Sequence, residues 1–230
     1  MKLKNLSIFF PAYNEEDNIT RTVENALSEV PLFAENFEII IINDGSSDRT
    51  AEVAEKLSEK YENVRTVTHE ENRGYGGALK TGLKEAQYEY IFFTDGDGQF
   101  NITEIEKLLP LAQKCDIAAG YRIKRNDPFY RIINAKAYNL LVRILFGLKM
   151  RDIDCAFKII RKEVIDSIPL KSESQFISAE LLIKAKKKGF TIKQIGVNHF
   201  PRKHGSPTGN KPIVVIKSFG ELFKLWNELK

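Results

Sequence analysis

Apolar residues along this chain follow two rhythms. Short apolar runs, Leu6-Ser7-Ile8-Phe9-Phe10, Phe37-Glu38-Ile39-Ile40-Ile41-Ile42, Val64 to Thr68, Tyr90-Ile91-Phe92-Phe93-Thr94 and Asp116 to Ala119, have the length and composition of strands. Continuous rather than alternating hydrophobicity implies a sheet covered on both faces. Between the runs, apolar positions return at helical spacing: Ile19, Val23, Ala26, Leu27 and Val30, then Ala51, Ala54, Leu57 and Tyr61, then Ala78, Leu79, Leu83 and Ala86. Ser46-Ser47-Asp48 stands where the second helix needs a cap. Strands alternating with helices predict an α/β fold with a mostly parallel sheet and helices on both faces.

The second half is less regular. From Asp127 to Leu148 apolar residues outnumber what one core-facing stripe requires, and the charges after Asp127 are basic: Arg131, Lys136 and Arg143. The segment 126–149 therefore suits a helix lying on a membrane surface as well as an ordinary packed one. A strand (Ala156 to Ile160), a helix around Ala179 to Lys187 and a strand (Thr191 to Val197) return to the sheet. Pro212 then opens a last amphipathic helix, 212–230, carrying Phe219, Leu222, Phe223, Leu225 and Trp226. With no internal repeat and no low-complexity linker, residues 1–230 are expected to form one domain.

Composition narrows the class. The chain has 230 residues, 43% hydrophobic and 29% charged, which are globular values. No apolar run reaches the roughly 18 residues of a membrane span. The apolar stretch Leu6 to Phe10 is too short for a signal peptide. Cys115 and Cys155 offer no disulfide framework and no metal spacing, so a reducing cytoplasm is expected. The net charge of +4 conceals a division: residues 1–120 hold 12 Lys/Arg against 22 Asp/Glu, and residues 121–230 hold 23 against 9. A basic half invites a phosphorylated ligand or an anionic membrane surface. Nucleic acid is disfavoured, because no reading motif accompanies the charge.

Four polar clusters follow the first four strands: Pro11-Ala12-Tyr13-Asn14-Glu15, Asn43-Asp44-Gly45-Ser46-Ser47-Asp48, Glu71 to Ala78, and Asp95-Gly96-Asp97-Gly98-Gln99. In a parallel sheet these fall at the carboxyl ends of the strands, where ligands bind. Asp95 and Asp97, two apart in an extended segment, project to one side. Their hard oxygens, with the Gln99 amide nearby, suit Mg²⁺ or Mn²⁺ on a diphosphate, against a solvated Asp-Gly turn. Gly74, Gly76 and Gly77 fit neither the dinucleotide fingerprint nor the P-loop. They are expected to let a helix pack closely on the sheet. Asp44 could accept hydrogen bonds from a base or ribose, or cap the following helix. Cys155 reads as a small buried apolar residue, and His69, His199 and His204 form no ligand cluster.

Taken in order, Pro11-Ala12-Tyr13-Asn14-Glu15, Asn43-Asp44-Gly45-Ser46, Asn72-x-Gly74-x-Gly76-x-Ala78, Asp95-x-Asp97-x-Gln99, Gly120-Tyr121-Arg122, Asp152-x-x-Cys155-x-Phe157-Lys158 and Pro201-Arg202-x-x-Gly205-Ser206 resemble the family-2 glycosyltransferases of GT-A fold. Within them the pattern is similar to the polyprenyl-phosphate (dolichol-phosphate) sugar synthases. The resemblance implies that Pro11, Tyr13, Glu15 and Asp44 hold the nucleotide of a sugar donor, with Ile42 beside the base. It implies that Asp95, Asp97 and Gln99, with Gly96 between the aspartates, hold a divalent metal on the donor diphosphate. Arg122 and Arg202 would face phosphates. Residues 1–120 would be the donor half and 121–230 the acceptor half, with 126–149 along the lipid. Two departures stand out: Pro207-Thr208-Gly209 replaces the Lys expected after Gly-x-Ser, and the C-terminal membrane spans of many members do not appear.

The implied reaction is inverting transfer of a hexose from a nucleotide sugar, GDP-mannose or UDP-glucose in type, to a polyprenyl phosphate. An acceptor phosphate is already ionised at pH 7, so no general base is needed. Transfer to a saccharide or protein hydroxyl would instead recruit Asp152, Asp154 or Glu180. A non-catalytic nucleotide- or membrane-binding module would have no use for a metal at a diphosphate. The expected partners are the donor, the acceptor lipid, and either a membrane surface or a membrane-anchored subunit. The expected location is the cytoplasmic face of a membrane, held peripherally.

Overall fold

The computed structural model describes residues 2–123, 129–201 and 212–229, with the backbone alone for 129–133 and 212–217. Seven strands form one sheet: β1 (Leu3–Ala12), β2 (Ala34–Asn43), β3 (Val64–Thr68), β4 (Tyr90–Thr94), β5 (Ile117–Arg122), β6 (Phe157–Arg161) and β7 (Ile192–Val197). Among the described residues eight α-helices join and cover them: α1 (Ile19–Glu29), α2 (Thr50–Lys60), α3 (Tyr75–Glu85), α4 (Ile105–Ala112), α5 (Phe129–Phe146), α6 (Lys162–Ser167), α7 (Ile177–Lys187) and α8 (Pro212–Leu229). The short helix α6 and the antiparallel setting of β6 are additions to the sequence reading.

The strand order is β3-β2-β1-β4-β6-β5-β7. β1, β2, β3 and β4 run parallel, as do β5 and β7, whereas β6 is antiparallel to both β4 and β5. β6 thus joins two parallel blocks into one mixed sheet. Alternate residues of β1 feed opposite faces. Leu6, Ile8 and Phe10 join a core with Ile19 and Val23 of α1, and Phe9 joins one with Leu79 and Leu83 of α3. That two-sided burial is why the strand runs are apolar throughout.

Close approach of α3 to the sheet depends on Gly82, where an added Cβ would fall 2.2 Å from the Phe9 ring. The glycine-rich loop ahead of α3 does something else. A Cβ on Gly76, the second residue of α3, would fall 2.5 Å from the Glu173 carbonyl carbon, so the junction of loop and helix meets the backbone before α7 rather than the sheet. Helix capping also differs in detail from the expectation. Asp48 alone serves α2, accepting from the Thr50 N–H at 2.9 Å, while Ser46 and Ser47 bond Asn14. No helix among the described residues is long and apolar enough to cross a membrane.

Candidate active site

The carboxyl ends of β1, β2 and β4 converge with the glycine-rich loop. Polar ties hold the first two loops together. The Asn14 N–H donates to Ser46 Oγ at 3.0 Å, and the Ser47 N–H to Asn14 Oδ1 at 2.9 Å. Asn14 adopts φ +55°, which its short side chain tolerates. The Glu15 N–H donates to Thr50 Oγ1 at 2.8 Å, and the buried Glu15 carboxylate receives Asn18 Nδ2 at 2.7 Å. Tyr13 is about a third exposed at the rim. Pro11 lies in β1 opposite Ile42, and Ile42 is fully buried in the core beneath α3.

Asp44 is nearly inaccessible and does not cap α2. Its Oδ1 accepts the Arg73 N–H at 2.9 Å and lies 2.7 Å from His69 Nδ1, while Asn72 Nδ2 donates to its carbonyl at 3.1 Å. The other His69 nitrogen lies 2.9 Å from Thr81 Oγ1, so the imidazole wedges Asp44 against α3. The sequence reading gave His69 no role. The signal was the register: β2 and β3 pair Asn43 with Thr68, and one step further sets Asp44 beside His69.

The loop after β4 presses against β1. A Cβ on Gly96 would sit 3.0 Å from the Pro11 carbonyl oxygen, and Thr22 Oγ1 donates to the Gly96 carbonyl at 3.1 Å. Asp95 Oδ1 is shut off from solvent with no hydrogen-bond partner, and so is Thr94 Oγ1 beside it. Burial pushes the Asp95 carboxyl up to about 7 and the neighbouring Asp97 charge adds to this, while a hydrogen bond from the Tyr75 hydroxyl to the carboxyl and the Arg122 and Lys158 charges oppose it. An unpartnered buried oxygen is costly unless something meets it. A hard divalent cation fits that demand, and Asp95 and Asp97 could hold one.

Gln99 is held in two directions. Its Nε2 donates to the Phe200 carbonyl at 3.0 Å, its own carbonyl accepts the Phe200 N–H at 2.8 Å, and its N–H donates to Asp97 Oδ1 at 3.1 Å. Only its side-chain oxygen remains to offer a cation. Among the described residues no three His, Cys, Asp or Glu side chains gather into a self-sufficient metal cage. A cation at Asp95 and Asp97 would thus complete its shell from Gln99, water or a ligand diphosphate, as Mg²⁺ commonly does.

Arg122, at the end of β5, forms a two-pronged pair with Asp152, Nε to Oδ2 at 2.6 Å and Nη2 to Oδ1 at 2.8 Å. Burial works against its charge, but the Asp152 carboxylate more than offsets it and raises its proton affinity. Of the carboxylates considered for base chemistry, Asp152 is occupied by Arg122. Glu180 is buried under the loop before α7, receiving the Lys171 and Ser172 N–H groups. Both are structural as they stand; Asp154 alone is exposed. Lys158 was unassigned and is fully buried. Its Nζ donates to the Cys155 carbonyl at 2.5 Å and stands over the Phe93 ring, and burial lowers its proton affinity. Cys155 is buried as expected, its thiol pushed up to about 12 by burial first and by Asp152 next. Arg202, with Lys203, His204, Gly205, Ser206 and Lys211, lies outside the described residues.

A mixed sheet of this order, with paired carboxylates at the end of β4 facing the β1 and β2 loops, defines a GT-A-like transferase fold. The family model for Glycosyl transferase family 2 matches residues 7–168, and the chain belongs to that family. It is 31% identical over 219 residues to a dolichyl-phosphate beta-glucosyltransferase of Homo sapiens, covering 85% of this chain and 67% of that one. It is 34% identical over 193 residues to a dolichol-phosphate mannosyltransferase of Pyrococcus furiosus, covering 79% and 53%. Among curated relatives, the chain spans as little as 33% of the length of one from Haloferax volcanii and 62% of one from Pectobacterium carotovorum. A solved structure of glucosyl-3-phosphoglycerate synthase from Mycobacterium tuberculosis, with Mn²⁺, uridine diphosphate and glucosyl-3-phosphoglycerate, superposes with a TM-score of 0.75. The identity is 18%, with 96% of this chain and 79% of that one covered, so the likeness is one of fold.

Proposed function

We propose that this glycosyltransferase moves a hexose from a nucleoside diphosphate sugar to a polyprenyl phosphate, with inversion, aided by Mn²⁺ or Mg²⁺. The observation that carries the reading is Asp95: a buried carboxylate oxygen without a partner, beside Asp97, at the strand end where this fold class gathers its ligands. A bound divalent ion would supply charge neutralisation for the departing diphosphate. The chain's own part is to hold ionised carboxylates there and to keep the β1 and β2 loops fixed around a nucleotide. Pro11, Tyr13, Glu15 and Asp44 would hold the nucleotide there, whereas Ile42, expected beside the base, is fully buried in the core beneath α3.

The lipid acceptor is supported by the named relatives and by the outer face of α5. Leu140 is 56% exposed and Ile144 69%, with Lys136 and Arg143 exposed beside them. Apolar side chains and cations on one exposed helix face suit the boundary of an anionic bilayer. The enzyme would then act as a peripheral protein on the cytoplasmic face of a membrane, or through a membrane-anchored subunit resting on α5 and α8. Arg122 and Arg202 would serve the phosphates, Arg122 with its charge fixed by Asp152.

A second reading, transfer to a hydroxyl, is favoured by one feature: Asp154 is an exposed carboxylate close enough to bear on the charge of Tyr75, Arg122 and Lys158. One experiment separates the two. UDP- and GDP-sugars are incubated with Mn²⁺ and either a short polyprenyl phosphate or a saccharide bearing free hydroxyls, and the products are read by mass spectrometry for the wild type and Asp154→Asn. Lipid-linked hexose formed by both enzymes supports phosphate transfer, which needs no base. Product formed only on hydroxyl acceptors and lost in Asp154→Asn would replace it.

A further inference from the structure

The connection between α6 and α7 is a loop gripped from three sides. From α7, Glu180 accepts the N–H groups of Lys171 at 3.0 Å and Ser172 at 2.8 Å. Lys184 Nζ bridges Glu180 Oε1 and the Pro169 carbonyl at 2.5 Å each. From α3, the Gly76 N–H donates to the Glu173 carbonyl at 3.1 Å, and Lys80 Nζ lies 3.1 Å from Glu173 Oε1. From α8, Glu221 Oε2 accepts Ser172 Oγ at 2.9 Å and also Ser174 Oγ. Both serines are less than a tenth exposed.

We propose that Glu221 is a positioning residue for the nucleotide pocket, acting on Asp44 through the two serines and the glycine-rich loop. The path is continuous. Glu221 fixes Ser172 and Ser174, and the backbone of Glu173 and Ser174 is the surface on which Gly74 and Gly76 rest. A Cβ on Gly76 would lie 2.6 Å from the Ser174 carbonyl oxygen, and one on Gly74 3.0 Å from that of Glu173. One and two residues before Gly74, the Arg73 N–H and Asn72 Nδ2 hold the Asp44 carboxylate and carbonyl. A helix near the end of the sequence thereby sets the seat of a residue at the end of β2.

Glutamate suits this place because one ionised oxygen can accept two hydroxyls, and bonds to a charged acceptor are the stronger kind. Without it two buried hydroxyls lose their partner. That loss alone would only lower stability. The positional role adds a change in nucleotide affinity per folded molecule.

The inference rests on the reading of this edge as a nucleotide site, and the experiment keeps the two apart. Binding of UDP and GDP with Mn²⁺ is measured by calorimetry for the wild type, Glu221→Ala, Glu221→Gln, Gly76→Ala and the Glu221→Ala/Gly76→Ala pair. Glu221→Ala should weaken nucleotide binding about fivefold or more, within the range for groups coupled through shared contacts. The KM for acceptor should be unchanged. Glu221→Gln, which keeps an acceptor oxygen, should recover most of the affinity. The double variant should be little worse than the worse single one. Ser174→Ala, which removes one of the two donors, carries the same expectation should Glu221→Ala not fold. Wild-type affinity in Glu221→Ala or Ser174→Ala, or strictly additive losses, would overturn the inference alone. Absence of nucleotide binding by the wild type would overturn the nucleotide reading and the inference with it.

Discussion

Around the ends of β1, β2 and β4 the chain ties itself together with short polar contacts, whereas α5 and α8 pack on the body chiefly through apolar side chains, the Glu221 clasp apart, and leave apolar side chains in solvent. Asn14, Glu15, Asp44 and Gln99 each bond a backbone group or side chain from another loop or strand. Tyr138 and Val142 anchor α5, and Leu222 and Leu225 anchor α8, with the Tyr138 and Phe219 rings edge to face at 5.5 Å. Hydrogen bonds are directional and fix atoms in place. Apolar burial is non-directional and tolerates small shifts. A rigid polar edge suits a ligand with fixed charges, and a looser apolar face suits a bilayer or another partner surface.

The largest test of this contrast is on the polar edge. Asp97→Ala should lower transfer by about 10² to 10³ or more, since it removes a carboxylate proposed to hold the cation that neutralises the departing diphosphate. Circular dichroism should be unchanged. Full turnover with Mn²⁺ would break the assignment. In the α5 segment, changing Arg131, Lys136 and Arg143 together to Gln should weaken binding to anionic liposomes. Each charge near such a surface is worth about 1 kcal/mol, so the three amount to roughly a hundredfold. Vesicle sedimentation at low and high salt reads this, and wild-type indifference to anionic vesicles at low salt would leave a protein partner as the only docking route.

A smaller effect tests the frame that both regions share. Gly82→Ala drives a methyl into the Phe9 ring and should cost about 1–3 kcal/mol, read as a lower Tm with nucleotide affinity per folded molecule intact. A last test concerns pH. Asp95 binds its proton more tightly in the folded protein, at about 7, than at its ordinary 3.8. Its stabilising contribution is therefore present at low pH and is lost as pH rises through about 7. Metal-free wild type should lose Tm relative to Asp95→Asn across that window, and Mn²⁺ at pH 8 should restore it. Parallel profiles for the two proteins would show that Asp95 is not held in this way.

Much of this architecture was legible before any coordinates. The strands β2, β3 and β4 lie where apolar runs fall, and Pro212 does open α8. The four polar clusters do meet at one edge, because parallel strands joined by helices must bring their carboxyl ends to the same side. Other features carried no local signal. The 157–161 strand looks like the others, and only its pairing shows it to run antiparallel. Gln99 read as a metal ligand by proximity to two aspartates, yet its amide also clasps Phe200, a residue 101 positions away. Asp152 read as an available base because its partner, Arg122, stands 30 residues earlier.

The sequence by itself determined the strand–helix alternation, the placing of acidic clusters after strands, and the family to which the chain belongs. Those depend on local periodicity and on motifs whose members are neighbours in the chain. The tertiary structure decided how each polar group is held. Asp44 is fixed in place by His69 and Arg73 and Arg122 by Asp152, Glu180 is taken up by the loop before α7, and Asp95 Oδ1 is left without a partner. Whether a polar group is satisfied depends on atoms brought within about 3 Å by the fold, and sequence separation does not encode that distance.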